Sequence, residues 1–186
     1  MFMLEQRIQQ QFFDSADLKY QTAETLARPI ANAAGALLGA ITGGGKVMVG
    51  GCGSASALAQ HMAALFVGRF ERERPPLPAV ALSGTPAAAL QLQALGQPGD
   101  VLLLLDAGDG GVAEAQDAIA AAHGKEMTVV LLAGAGGGAL SEPLGETDVT
   151  IAVPHARGVR VLELQLLVLH CLCDAIDLQL LGDQEP

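Results

Sequence analysis

Two histidines and one glycine–serine loop are the residues of this chain best suited to chemistry. The loop is "GGCGSAS" (50–56), between a short apolar run and a helical segment. Gly51 and Gly53 let the backbone approach a ligand closely, and a helix start offers unpaired N–H groups to an anion. Ser54 and Ser56 add hydroxyl donors, so the stretch has the make-up of a phosphate cradle. It is equally the make-up of a plain turn with Ser54 as N-cap. His61 and His170 each fall inside a helical segment. An imidazole there can carry a proton or bind a metal, and it can also be a satisfied core or interface group. Leu65 follows His61 by four residues, where a carboxylate would be useful, and Asp174 follows His170 by four. A metal site needs three or four ligands in reach.

The remaining candidates are weaker. The loop "DAGDGG" (106–111) carries Asp106 and Asp109, whose charges oppose a bound phosphate. His155 belongs to "PHARGVR", where Arg157 and Arg160 suggest a small anion site before the last helix. His123, in a helix–strand turn, reads as a solvated residue.

The elements that must position these groups follow from hydrophobic patterning. Residues 1–41 read as helical, with Leu26, Ile30, Ala33, Leu37 and Ile41 on one face. The glycines of 42–45 end that segment. Short apolar runs at 46–50, 78–82, 100–105, 127–133 and 148–153 then read as strands. Helices are expected over 54–70, 86–95, 112–123 and 159–181. Continuous apolar strands separated by helices indicate a parallel sheet covered on both faces, with ligands at the carboxyl ends of its strands. The last helix, with Leu162, Leu166, Leu167, Leu169, Leu172, Ile176 and Leu180, is apolar on nearly every side and is expected to be buried all round, with a neighbouring subunit as part of its cover.

Composition narrows the function classes. With 186 residues the chain suits one domain, a helical segment (1–41) leading an α/β core (46–181). A net charge of −10 argues against direct binding to nucleic acid. Cys52, Cys171 and Cys173 form neither an even framework nor a CxxC pair, and read as reduced thiols. The most apolar stretch, 161–173, is broken by Glu163, Gln165 and His170, so no membrane span is expected. A cytoplasmic protein is the expectation.

The segments "GGCGSASALAQH", "GRFERERPPLPAVALS", "GDVLLLL", "AIAAAHGKEMTVVLLAG" and "DVTIAVPHARGVRVLELQLLVLHCLCDAID" resemble SIS-domain proteins, within them the phosphoheptose isomerases and the DnaA initiator-associating proteins. The resemblance spans almost the whole chain and implies a three-layer α/β/α fold with a five-stranded parallel sheet and N-terminal helices. It also implies a homotetramer. For the isomerases it implies conversion of sedoheptulose 7-phosphate by a glutamate and a histidine beside zinc. His61 matches a metal-ligand histidine of that group and His170 its catalytic, metal-binding histidine. The glutamate base falls at Leu65 and a metal-binding glutamine at Leu162. Cys52 replaces an asparagine, "DAGDGG" replaces a Ser/Thr-rich phosphate loop, and the stretch between Ser83 and Gly99 is shorter than the resemblance implies.

These departures favour the initiator-associating group: a non-catalytic adaptor that binds DnaA, with no cofactor. Leu180 and Leu181 are its candidate partner contacts, although they also simply finish the helix. The alternatives are a sedoheptulose 7-phosphate isomerase, with zinc at His61 and His170, or a sugar-phosphate sensor.

Overall fold

A computed structural model describes residues 2–84 and 87–183. Pro86, the expected start of the third helix, lies outside the described residues, as do the last three of the tail. The chain opens with α1 (Phe2–Thr42) and continues through β1 (Val47–Cys52), α2 (Ser56–Val67), β2 (Ala79–Ala81), α3 (Ala87–Leu95) and β3 (Val101–Asp106). It ends with α4 (Val112–His123), β4 (Thr128–Gly134), β5 (Val149–Val153) and α5 (Gly158–Leu181). All five strands are parallel, in the order β2-β1-β3-β4-β5. The expected fold is the observed one, an α/β SIS fold with a long N-terminal helix.

Alternation along the strands explains why their runs are continuously apolar. Leu103 and Leu105 face a core shared with Leu37 of α1, Met62 and Phe66 of α2, and Leu169 and Leu172 of α5. Leu102 and Leu104 face the opposite core, with Leu92 of α3 and Ile119 of α4. Side chains of a strand point alternately to its two faces, so a strand covered on both sides needs no polar register.

One expectation needs correction and another is sharpened. The N-terminal segment is one helix rather than several, with Pro29 inside it; packing on the core outweighs the proline's lost hydrogen bond. The last helix is covered by this chain on one side, the other being the side for which a neighbouring subunit is expected. Leu164, Val168, Leu169, Leu172 and Ile176 form its buried stripe, whereas Val159, Leu166, Leu167, Leu178 and Leu180 are exposed, because the chain's own layers cover one side only. Among the described residues no helix is long and apolar enough to cross a membrane.

Candidate active site

The strand order fixes where a ligand site can form. From β1 the chain crosses to β2 on one side, and from β3 it crosses to β4 on the other. Their outgoing loops therefore diverge and leave a crevice at the carboxyl ends of two neighbouring strands. Cys52 and Asp106, the last residues of β1 and β3, are paired there. Both suspected loops, 50–56 and 106–111, leave from this point.

The first loop does not have the expected cap. A 3-10 turn (Gly53–Ala55) intervenes before α2, and the residue capping the helix is Ala55, with no side-chain cap. Gly53 has φ +52, and a Cβ there would lie 2.5 Å from Asp109 Oδ1. A Cβ on Gly51 would meet the Ala55 carbonyl at 2.5 Å. Both glycines are thus required by close packing of the turn. Ser54 and Ser56 are exposed.

An anion already lies on this turn: the Asp109 carboxylate accepts the Ser54 N–H, at 3.3 Å to each oxygen. Asp106 accepts the Gly108 N–H at 3.1 Å. Burial raises the Asp106 pKa, and Asp109 adds to the rise. Cys52 is buried beside these carboxylates; desolvation first, then Asp106, Glu114 and Asp109, push its thiol up to about 12. Cys52 is therefore a neutral packing residue, not a nucleophile. The sequence shows the acids, but not that one of them crosses to the neighbouring loop.

The histidines are brought together across 109 residues of sequence. His61 of α2 and His170 of α5 lie with their Nε2 atoms 3.1 Å apart, one ring donating and the other accepting. The rings meet edge to face at 5.4 Å, and Phe70 covers His170 at 5.3 Å between centroids. Both imidazoles are half-buried. Asp174 is exposed, while Leu65 and Leu162 are half-buried against the core. The imidazole pair can divide the roles of proton donor and acceptor between two like groups. Two nitrogens at this spacing can share one metal ion, but among the described residues no group of three His, Cys, Asp or Glu side chains surrounds a candidate metal position. The donor set falls short of the three or four ligands zinc takes.

Two more expectations are revised. His123 is not merely solvated: its Nε2 pairs with Asp148 Oδ2 at 2.8 Å, and Asp148 also accepts the Val129 N–H. The "PHARGVR" residues do not converge on an anion. His155 Nδ1 accepts the Arg157 N–H, and the buried Arg160 turns away to Gln11 and Glu163. At the end of α5, Leu180 is 38% exposed and Leu181 half-buried.

Comparison with known proteins decides the family. A SIS-domain model matches residues 11–134. A phosphoheptose isomerase of Methylibium petroleiphilum is 54% identical over 100% of this chain and 99% of its own length. The chain belongs to the phosphoheptose isomerase family of SIS-domain proteins. A second relative with that name, from an Azoarcus species, is 46% identical over 96% of this chain and 98% of its own. The solved structure of a phosphoheptose isomerase from Francisella tularensis superposes with TM-score 0.84 at 36% identity, covering 95% and 99% of the two chains.

These matches overturn the adaptor reading. The expectation of a non-catalytic, DnaA-binding protein rested on Leu65, Leu162 and the acidic loop. Full-length relatives at such identity are named as isomerases despite the weight placed on those positions. The shorter build of this chain does have support: the Methylibium alignment runs over 199 positions against 186 residues here.

Proposed function

We propose that the protein is a sugar-phosphate isomerase acting on sedoheptulose 7-phosphate, with His61 and His170 as the proton-transferring pair. The observation that carries this reading is the 54% identity to a phosphoheptose isomerase over the whole chain. The reaction moves a proton between two neighbouring carbons through an enediol. It needs a base at one carbon and an acid at the carbonyl oxygen. Leu65 supplies no carboxylate, so the base is an imidazole. The pair holds one hydrogen between its two Nε2 atoms; with substrate in place of that mutual bond, the ring without the hydrogen takes the proton from carbon and the ring that carries it protonates the carbonyl oxygen.

Gly51, Gly53, Ser54 and Ser56 are assigned to the phosphate end of the substrate, which must displace the Asp109 carboxylate from the Ser54 amide. Association into a homotetramer is part of the same proposal. It is supported by the exposed Phe2, Leu4, Ile8 and Phe12 of α1 and by the exposed Leu167 and Leu180 of α5. Leu180 and Leu181 are assigned to such subunit contacts.

The test is direct. Purified protein incubated with sedoheptulose 7-phosphate is followed by NMR of the sugar carbons, beside His61→Asn and His170→Asn. Turnover by the parent chain and its loss in both variants is the expected outcome. A parent chain that leaves the ketose unchanged, at any concentration of added zinc, overturns the proposal.

A further inference from the structure

The two imidazoles sit on helices that meet only along a short seam, so something must hold α2 and α5 in register. One buried side chain touches both. Arg74 lies in the connection from α2 to β2, and its side chain is 1% exposed. Its Nε donates to Asp177 Oδ1 of α5 at 2.5 Å, and Asp177 is 2% exposed. One terminal nitrogen donates to the Phe66 carbonyl at 2.8 Å and the other to the Leu65 carbonyl at 3.0 Å. Those carbonyls belong to the last turn of α2, where helix acceptors lack internal donors. The guanidinium thus closes the end of the helix that carries His61 and pairs with a carboxylate of the helix that carries His170. The same connection carries Phe70, whose ring covers His170.

The geometry points to Arg74 as a positioning residue for the imidazole pair, acting through α2, α5 and Phe70 rather than on substrate. A planar fork of fixed donors suits this task, because it addresses two carbonyls and a carboxylate at once. A lysine ammonium keeps the charge beside Asp177 but cannot span the same three acceptors.

The effect on turnover rests on the proposed isomerase reading, so the experiment has a readout that does not. In protein labelled with 15N-histidine, the ring N–H held between His61 and His170 gives a slowly exchanging signal, assigned by its loss in His61→Asn. Three further proteins are compared: Arg74→Lys, the paired apolar replacement Arg74→Met with Asp177→Leu, and Asp177→Asn. The paired replacement leaves no buried charge alone, so it keeps a cooperative melt. The expected result is loss or broadening of the ring signal in Arg74→Lys and in the folded paired variant. Turnover falls roughly 10- to 100-fold with little change in KM, as for a catalytic group displaced by about 1 Å. A folded variant that keeps both the ring signal and parental turnover overturns the inference. If the paired variant fails to fold, Arg74→Lys alone decides on the same two readouts. A parent chain without turnover whose ring signal responds as expected would refute the isomerase reading and leave the positioning role standing.

Discussion

Two regions of the molecule hold polar groups in different ways. At the β1 and β3 loops, donors and acceptors satisfy one another within the chain: Asp109 takes the Ser54 amide, and Asp106 takes Gly108. At the α2–α5 seam, two imidazoles meet each other and are covered by one aromatic ring. The loops hold a carboxylate on the turn after β1, while the helices keep two imidazoles facing one another. The contrast separates binding from chemistry. On the proposed reading, the loops govern selectivity for the anionic end of a substrate and the helices govern proton movement.

The comparison can be broken most severely at the helices. His170→Ala is expected to lower kcat by about 10²–10⁴, the usual loss when a positioned proton-transfer group is removed; sugar turnover measured by NMR checks it. Asp177→Ala leaves the Arg74 guanidinium buried without its carboxylate. About 3–5 kcal/mol of stability should be lost, read from urea unfolding. The loops respond more mildly. Asp109→Asn removes a charge competing for the Ser54 amide, and inorganic phosphate should bind roughly tenfold tighter, from about 1–2 kcal/mol of relieved repulsion. Calorimetric titration of phosphate shows it, and an unchanged affinity would mean that the β1 turn takes no anion.

The smallest expected effect is on alkaline stability. A Cys52 pKa raised from 9.0 to about 12 means the folded state retains a proton that the unfolded chain releases. That contribution is complete below pH 9 and is lost as pH rises through 12. Cys173, pushed up to about 12 chiefly by burial, acts in the same direction. Cys52→Ala should flatten the fall in melting temperature across this window while leaving the neutral-pH protein folded.

How much of this was legible follows the range of each interaction. Strands and helices were readable because burial on both faces makes runs such as "VLLLL" continuous, and their observed edges lie close to the expected ones. His61 and His170 were readable as residue types, and the family resemblance marked them. Their 3.1 Å meeting depends on two helices far apart in sequence. Arg74 lay within a quoted motif, yet its partner Asp177 is 103 residues away, and no local pattern distinguishes it from the neighbouring surface charges of "RFERER". The adaptor reading failed for a related reason. It set the joint loss at Leu65, Leu162 and the acidic loop above the rest of the chain, which is 54% identical to an isomerase over its whole length.

The path of α1 has a consequence for how the chain is made. Its inner half, from Leu18 to Ala40, packs chiefly on α5 and β5, the last elements in the sequence. During synthesis residues 2–42 emerge before the elements that cover their apolar stripe. Its cover arrives only when residues 149–181 have left the ribosome. The sheet can assemble strand by strand in the meantime, but the layer that carries His170 closes last. The packing of α1 on α5 and β5 is therefore a long-range closure of the kind that slows folding and exposes nascent chains to association.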